Sequence, residues 1–166
     1  PCLTPPPVFN TGAILGNGDL EIQMPAYTSQ ATSSEDDYTC FTIPSGLTEN
    51  RVIKAIEVIP GNDAIVHHAL IYVDSVPANS PTDSLGSHCI TPSSSTASLA
   101  CGFAPGAVPT IFPSQSPLKM GVNMGANSQI IFAMHYPEGS FGQMDSTKVI
   151  FHFYPLGETG VRDVLA

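Results

Sequence analysis

Proline and glycine punctuate this chain from end to end, 16 Pro and 14 Gly, 30 of 166 residues. Proline removes a backbone donor and clashes with the preceding helical turn, and glycine costs a helix interior about 1 kcal/mol relative to alanine. Long helices are excluded, and a turn-rich chain of short strands remains. Between the breaks the strands are visible. Leu20, Ile22 and Met24 alternate with Asp19, Glu21 and Gln23 and stop at Pro25, the pattern of a half-buried strand. Tyr38 to Ile43 reads as a second, closed by Pro44-Ser45-Gly46. Residues 51–59 are rich in β-branched side chains and end at the turn Pro60-Gly61-Asn62-Asp63; a helix is the alternative there, disfavoured by the branching. Ile65 to Val73, Ala107 to Phe112, Leu118 to Val122 and Val149 to Tyr154 continue the series. Gln129 to Tyr136 is nearly all apolar, as expected of a strand buried on both faces. Ser75 to Ser98 is a polar stretch without period and reads as a long surface loop, functional or tied down. The expectation is an all-β, antiparallel β-sandwich of jelly-roll type. It forms a single domain over 1–166, with a Pro-rich entry arm (1–18), a long Ser/Pro-rich loop (75–100) and a tail (156–166).

At this length a chain buries roughly 70% of its unfolded surface, enough for a real core. The net charge is −9, which argues against nucleic-acid and anionic-membrane partners, because both need a positive footprint. Apolar residues make up 42% and charged ones 11%, the reverse of a disordered chain. No apolar run approaches the ~20 residues of a membrane-spanning helix. Pro1-Cys2 has the look of a processed N-terminus. An even number of cysteines, four, with sparse Lys, suits two disulfides in a secreted, extracellular protein.

Five histidines carry the chemistry worth weighing: His67, His68, His88, His135 and His152. Successive side chains of a strand point to opposite faces. The plainest reading of His67-His68 is therefore one ring in the core and one at the surface. Joint use of both rings needs a twist, a bulge or a sheet edge. His135, near the end of the buried strand and before the Pro137-Glu138-Gly139 turn, shifts the balance. Three neutral imidazoles make a site for copper or zinc with positions left open. Asp63, Asp74 and Glu138 are expected to be solvated rather than to assist. His152 reads as structural or surface and His88 as surface. There is no GxSxG, phosphate loop, HExxH or CxxC. No cysteine lies beside Met134-His135 to make a blue-copper site.

Five segments then occur in order: Asp19-Leu20-Glu21-Ile22-Gln23-Met24-Pro25, Asp37-Tyr38-Thr39-Cys40-Phe41, Val66-His67-His68-Ala69-Leu70, Gly102-Phe103-Ala104-Pro105-Gly106 and Met134-His135-Tyr136. Together they resemble the N-terminal domain of the copper type II, ascorbate-dependent monooxygenases, the family of peptidylglycine and dopamine monooxygenases. The resemblance covers almost the whole chain and implies an antiparallel β-sandwich. It also implies one copper ion held by His67, His68 and His135, loaded with an electron by a reductant such as ascorbate. Tyr136 and Met134 would then lie next to a ligand. The family's oxygen-activating copper, bound by a His-x-His pair and a methionine in a second domain, has no counterpart in these residues. The resemblance also implies a Cys40–Cys89 bridge, which leaves Cys2–Cys101. Cys2–Cys40 with Cys89–Cys101, and Cys2–Cys89 with Cys40–Cys101, are the other pairings.

Three functions follow as expectations. The first is a secreted copper-binding domain with a redox-capable, electron-transfer-type site and no turnover of its own. The second is the N-terminal half, or one partner, of a two-copper monooxygenase. The third is a structural subunit that reuses the fold in a homo-oligomer or other extracellular assembly.

Overall fold

The structure is a computed structural model and describes residues 13–164. It is nearly all β. In chain order the strands are β1 (Leu20–Gln23), β2 (Tyr27–Thr28), β3 (Asp37–Pro44), β4 (Arg51–Ile59), β5 (His68–Asp74), β6 (Asp83–His88), β7 (Ala97–Phe103), β8 (Thr110–Ile111), β9 (Met120–Met124), β10 (Gln129–Tyr136), β11 (Met144–Asp145), β12 (Lys148–Phe153) and β13 (Arg162–Asp163). A single 3-10 turn, Pro77–Asn79, interrupts them among the described residues. One sheet runs β1-β12-β4-β9-β13, with β8 also on β4, and the other runs β6-β3-β10-β5-β7. β2 and β11 form a small ribbon. Only β9–β13 is parallel among the described pairings. No helix among the described residues is long and apolar enough to cross a membrane.

The two sheets close on one core. Ile22, Ile53, Ile56, Val149, Phe151 and Phe153 from the first meet Phe41, Ile71, Val73, Ile130, Phe132 and Tyr136 from the second. Phe132 and Phe151 are fully buried, so truncating either to alanine costs about 3–5 kcal/mol. β10 fulfils the expectation of a two-faced buried strand, since all eight of its residues are buried. Its even residues face this core. On its other side Ile131 and Ala133 pack with Cys40, Leu70, Tyr72, Cys89 and Ala97 in a second, smaller cluster.

That outer cluster exists because the Ser-rich segment folds over it. Here the expected long loop needs correction: it contains the 3-10 turn and all of β6, and β7 begins inside it at Ala97. β6 carries no alternation because it is a mostly exposed edge strand, held to β3 by backbone hydrogen bonds. The bridge Cys40–Cys89 ties it down, with Cα atoms 5.5 Å apart. Closing a loop of this size stabilises by ~4 kcal/mol in the chain-entropy model. The bridge excludes both alternative pairings of Cys40 and Cys89. Cys2 lies outside the described residues, and Cys101 is buried with no bridge to any described cysteine. The tail also gains a role, since Arg162 and Asp163 pair with Met120 and Gly121.

Asp74, expected to be solvated, is fully buried and organises the same segment. It accepts hydrogen bonds from the Ser80 and Ser94 hydroxyls (2.6 Å each), the Thr96 hydroxyl (2.8 Å) and the Val76 amide (2.9 Å). Burial pushes this carboxyl up, but the four donors outweigh it and hold it below its ordinary value. A carboxyl depressed in the folded state stabilises above its unfolded pKa of about 3.9, and that stability is lost as pH falls through the folded value. Asp74→Asn is therefore expected to lower the urea midpoint at pH 7 and to lose most of its effect near pH 2. An equal effect at both pH values would refute the cage.

Candidate metal centre

The chain brings His67, His68 and His135 together. One ligand nitrogen from each lies within 4.8 Å of the others. His68 and His135 are cross-strand partners at the ends of β5 and β10. Both belong to the outer face that also carries Leu70 and Ala133. The alternation that separates neighbouring residues does not apply to His67, because β5 begins only at His68. His67 sits on the exit of the preceding turn and donates its amide to the His135 carbonyl at 3.0 Å. That turn is fastened from below. The Asn62 amide donates to Asp145 Oδ1 at 2.9 Å, and the Asn62 carbonyl accepts from Ile65 and Val66. A Cβ on Gly61 would lie 2.6 Å from the Ser146 nitrogen, so only glycine lets the turn sit this close.

The ring nitrogens face inward. Nδ1 of His68 lies 3.1 Å from Nδ1 of His135 and 3.3 Å from Nδ1 of His67. Two bare lone pairs repel at that separation, so a proton or a cation must sit between them. The outward nitrogen of His135 settles its own tautomer. Nε2 is 2.9 Å from Asp36 Oδ2, and a carboxylate only accepts, so the proton is on Nε2 and Nδ1 offers its lone pair. This is the carboxylate–histidine arrangement that orients metal ligands and raises their basicity. Asp36 is itself placed by the Glu138 amide, 2.8 Å from Oδ1. The His135 hydrogen bond, with that amide, holds the Asp36 carboxyl below the usual range. Burial, then the nearby His135 and His67, make His68 less basic than usual, which keeps it neutral and able to ligate at lower pH. The Tyr38 ring stacks on His135, centroids 4.3 Å apart and planes 7° apart. His135 is buried, His68 half-buried and His67 exposed, so the cluster opens to solvent on the His67 side.

These residues fit a metal ion: three converging imidazole nitrogens, one tautomer fixed from outside, and an open side. Met134 and Tyr136, expected beside the site, face the inter-sheet core instead, because alternation along β10 sends them opposite to His135. Tyr136 donates its hydroxyl to Asp145 at 3.0 Å. His152 is buried in the other sheet, its Nε2 without a hydrogen-bond partner in the structure, and His88 is exposed. Asp63 and Asp74 make no contact with the three rings, while Glu138 contributes only its amide. Sequence reasoning missed Asp36 and Tyr38. The available signal was the Tyr-x-Cys segment, because a β3–β10 pairing places Tyr38 opposite His135.

No protein-family model and no curated protein matches this chain. Asp36→Asn should weaken metal binding 10–100-fold, the usual cost of losing such a partner, with little change in thermal stability of the metal-free protein. Isothermal titration against Cu(II) and Zn(II) reads this directly.

Proposed function

We propose that this chain is an extracellular copper-binding domain that uses His67, His68 and His135 to hold one ion for one-electron transfer. The observation that carries the proposal is the convergence of three Nδ1 atoms with the far side of His135 bonded to Asp36. A set of three imidazoles without thiolate or carboxylate suits copper in either oxidation state. The five-segment resemblance to the copper type II monooxygenases favours copper over zinc and ascorbate as reductant. Bound copper would supply one-electron redox chemistry. The protein's part is to fix ligand geometry through Asp36 and Tyr38, to keep His68 neutral and to leave the His67 side open to a reductant. The Cys40–Cys89 bridge suits an oxidising compartment, which supports secretion.

The 166 residues contain no His-x-His. Substrate hydroxylation of the family's kind would thus need an oxygen-activating copper from elsewhere. The exposed ring of His67 favours this second reading, in which the domain delivers its electron to a partner across that opening.

Titrating the protein with Cu(II) at neutral pH should give one tightly bound ion whose electron paramagnetic resonance spectrum shows several nitrogen ligands. Ascorbate should abolish the signal, and reoxidation should restore it. His135→Ala should weaken binding more than Asp36→Asn does. Unchanged affinity in His135→Ala, or a bound ion that ascorbate cannot reduce, would sink the proposal. A protein that keeps its shape and assembly while ignoring copper would favour the scaffold reading.

A further inference from the structure

Away from the histidines, one edge of β4 is left unfinished. β9 covers Arg51 to Ile53 on that side, and β8 covers Ala55 and Ile56. The Phe112 amide donates to the Lys54 carbonyl at 3.0 Å, so Lys54 turns its backbone groups toward β8. Backbone groups alternate sides along a strand, so Ile56 and Val58 point the same way. Ile56 is met by Thr110. Extended by two residues in the same register, β8 would bring Val108 opposite Val58, but β8 starts only at Thr110. The chain before it turns at Ala104–Ala107 instead, closed by the Ala107 amide on the Ala104 carbonyl at 2.8 Å. The Val58 amide and carbonyl thus face an edge that no described strand occupies.

A cavity of about 240 Å³ lies at this edge. Val58 and Ile59 line one side, Cys101 and Phe103 the other, together with the exposed Ile14 and Val108. Small-molecule clefts run roughly 300–1,000 Å³. This one is smaller and suits one or two apolar side chains better than a free ligand. Glu57 and Asp63 line it, and no Lys or Arg does. Glu57 is buried and accepts the Ile14 amide at 2.6 Å and the Leu15 amide at 3.2 Å. Asp63 is exposed.

We infer that this edge takes up an extended segment of a partner protein as an added strand beside β4. An N–H and a C=O side by side are matched by another main chain, and alternate side chains then supply selectivity. The residue opposite Val58 turns its side chain to the same face as Val58, which is the core side where Phe103 and Cys101 stand. That side chain is apolar and fills the cavity. The residues flanking it are basic, because an acidic segment would meet Asp63 and Glu57 with no cation to offset the repulsion. β4 ends at Ile59, before Pro60, so the added strand is short and leaves readily.

The probe is the blocked pentapeptide KVLVK, titrated into the full chain and followed by amide shifts of isotope-labelled protein. Shifts should concentrate on Val58, Ile59, Phe103 and Val108, and the Val58 amide should become protected from hydrogen exchange. Methylating the nitrogen of the central leucine should weaken binding about tenfold. Asp63→Lys should weaken KVLVK about threefold at low salt and favour EVLVE instead. Ala107→Phe, at an exposed position lining the cavity, should abolish binding. Copper stoichiometry should match that of the unaltered chain in both variants, which separates the docking edge from the metal reading. No shifts at millimolar peptide, shifts centred elsewhere, or equal affinity for the methylated peptide would overturn the inference. So would a Val58 amide protected before peptide is added, since the edge would then be covered by the chain itself or by a second copy.

Discussion

The double burial of β10 is the constraint from which the other arrangements follow. A strand covered on both sides needs a second sheet against one face and some other cover on the opposite one. The Phe132 side is met by β4 and β12, and the Ile131 side by the Ser-rich segment. Because β10 pairs with β3 and β5 along nearly its whole length, its register also decides which side chains share the outer face. His135 at its end therefore meets His68 on one flank and Tyr38 on the other.

Cover and centre are thus built from one surface. Cys40 and Tyr38 alternate on the same side of β3, and the Cys89 amide donates to the Tyr38 carbonyl at 3.2 Å. The disulfide that holds the Ser-rich segment down also fixes the strand whose aromatic ring lies against His135. At the far end of β5, Asp74 gathers three hydroxyls and an amide. The outer face is therefore closed by hydrogen bonds at one end and left open at the other, where the imidazoles stand.

Legibility in the sequence divided along physical lines. Runs of β-branched and aromatic residues gave β3, β4, β10 and β12 close to their observed limits, because burial selects those side chains. β2, β11 and β13 are two residues each, set by backbone pairing with distant partners, so no local pattern marks them. β6 hid among serines because an exposed edge needs no apolar period. The histidine trio was readable as a set. The escape of His67 from strand alternation was not, since it depends on where β5 starts. Asp36 was invisible as a partner because its role arises only from antiparallel register and from the Glu138 amide.

The three imidazoles are not equally braced. His68 and His135 stand on paired strands and are braced from behind, one by the sheet and one by Asp36 and Tyr38. His67 hangs from a turn whose anchor is Asn62 on Asp145. Its backbone is anchored, but its ring is the one exposed to solvent. An ion of different preferred geometry would be met by adjusting that one exposed ring, with the two strand-borne rings left in place.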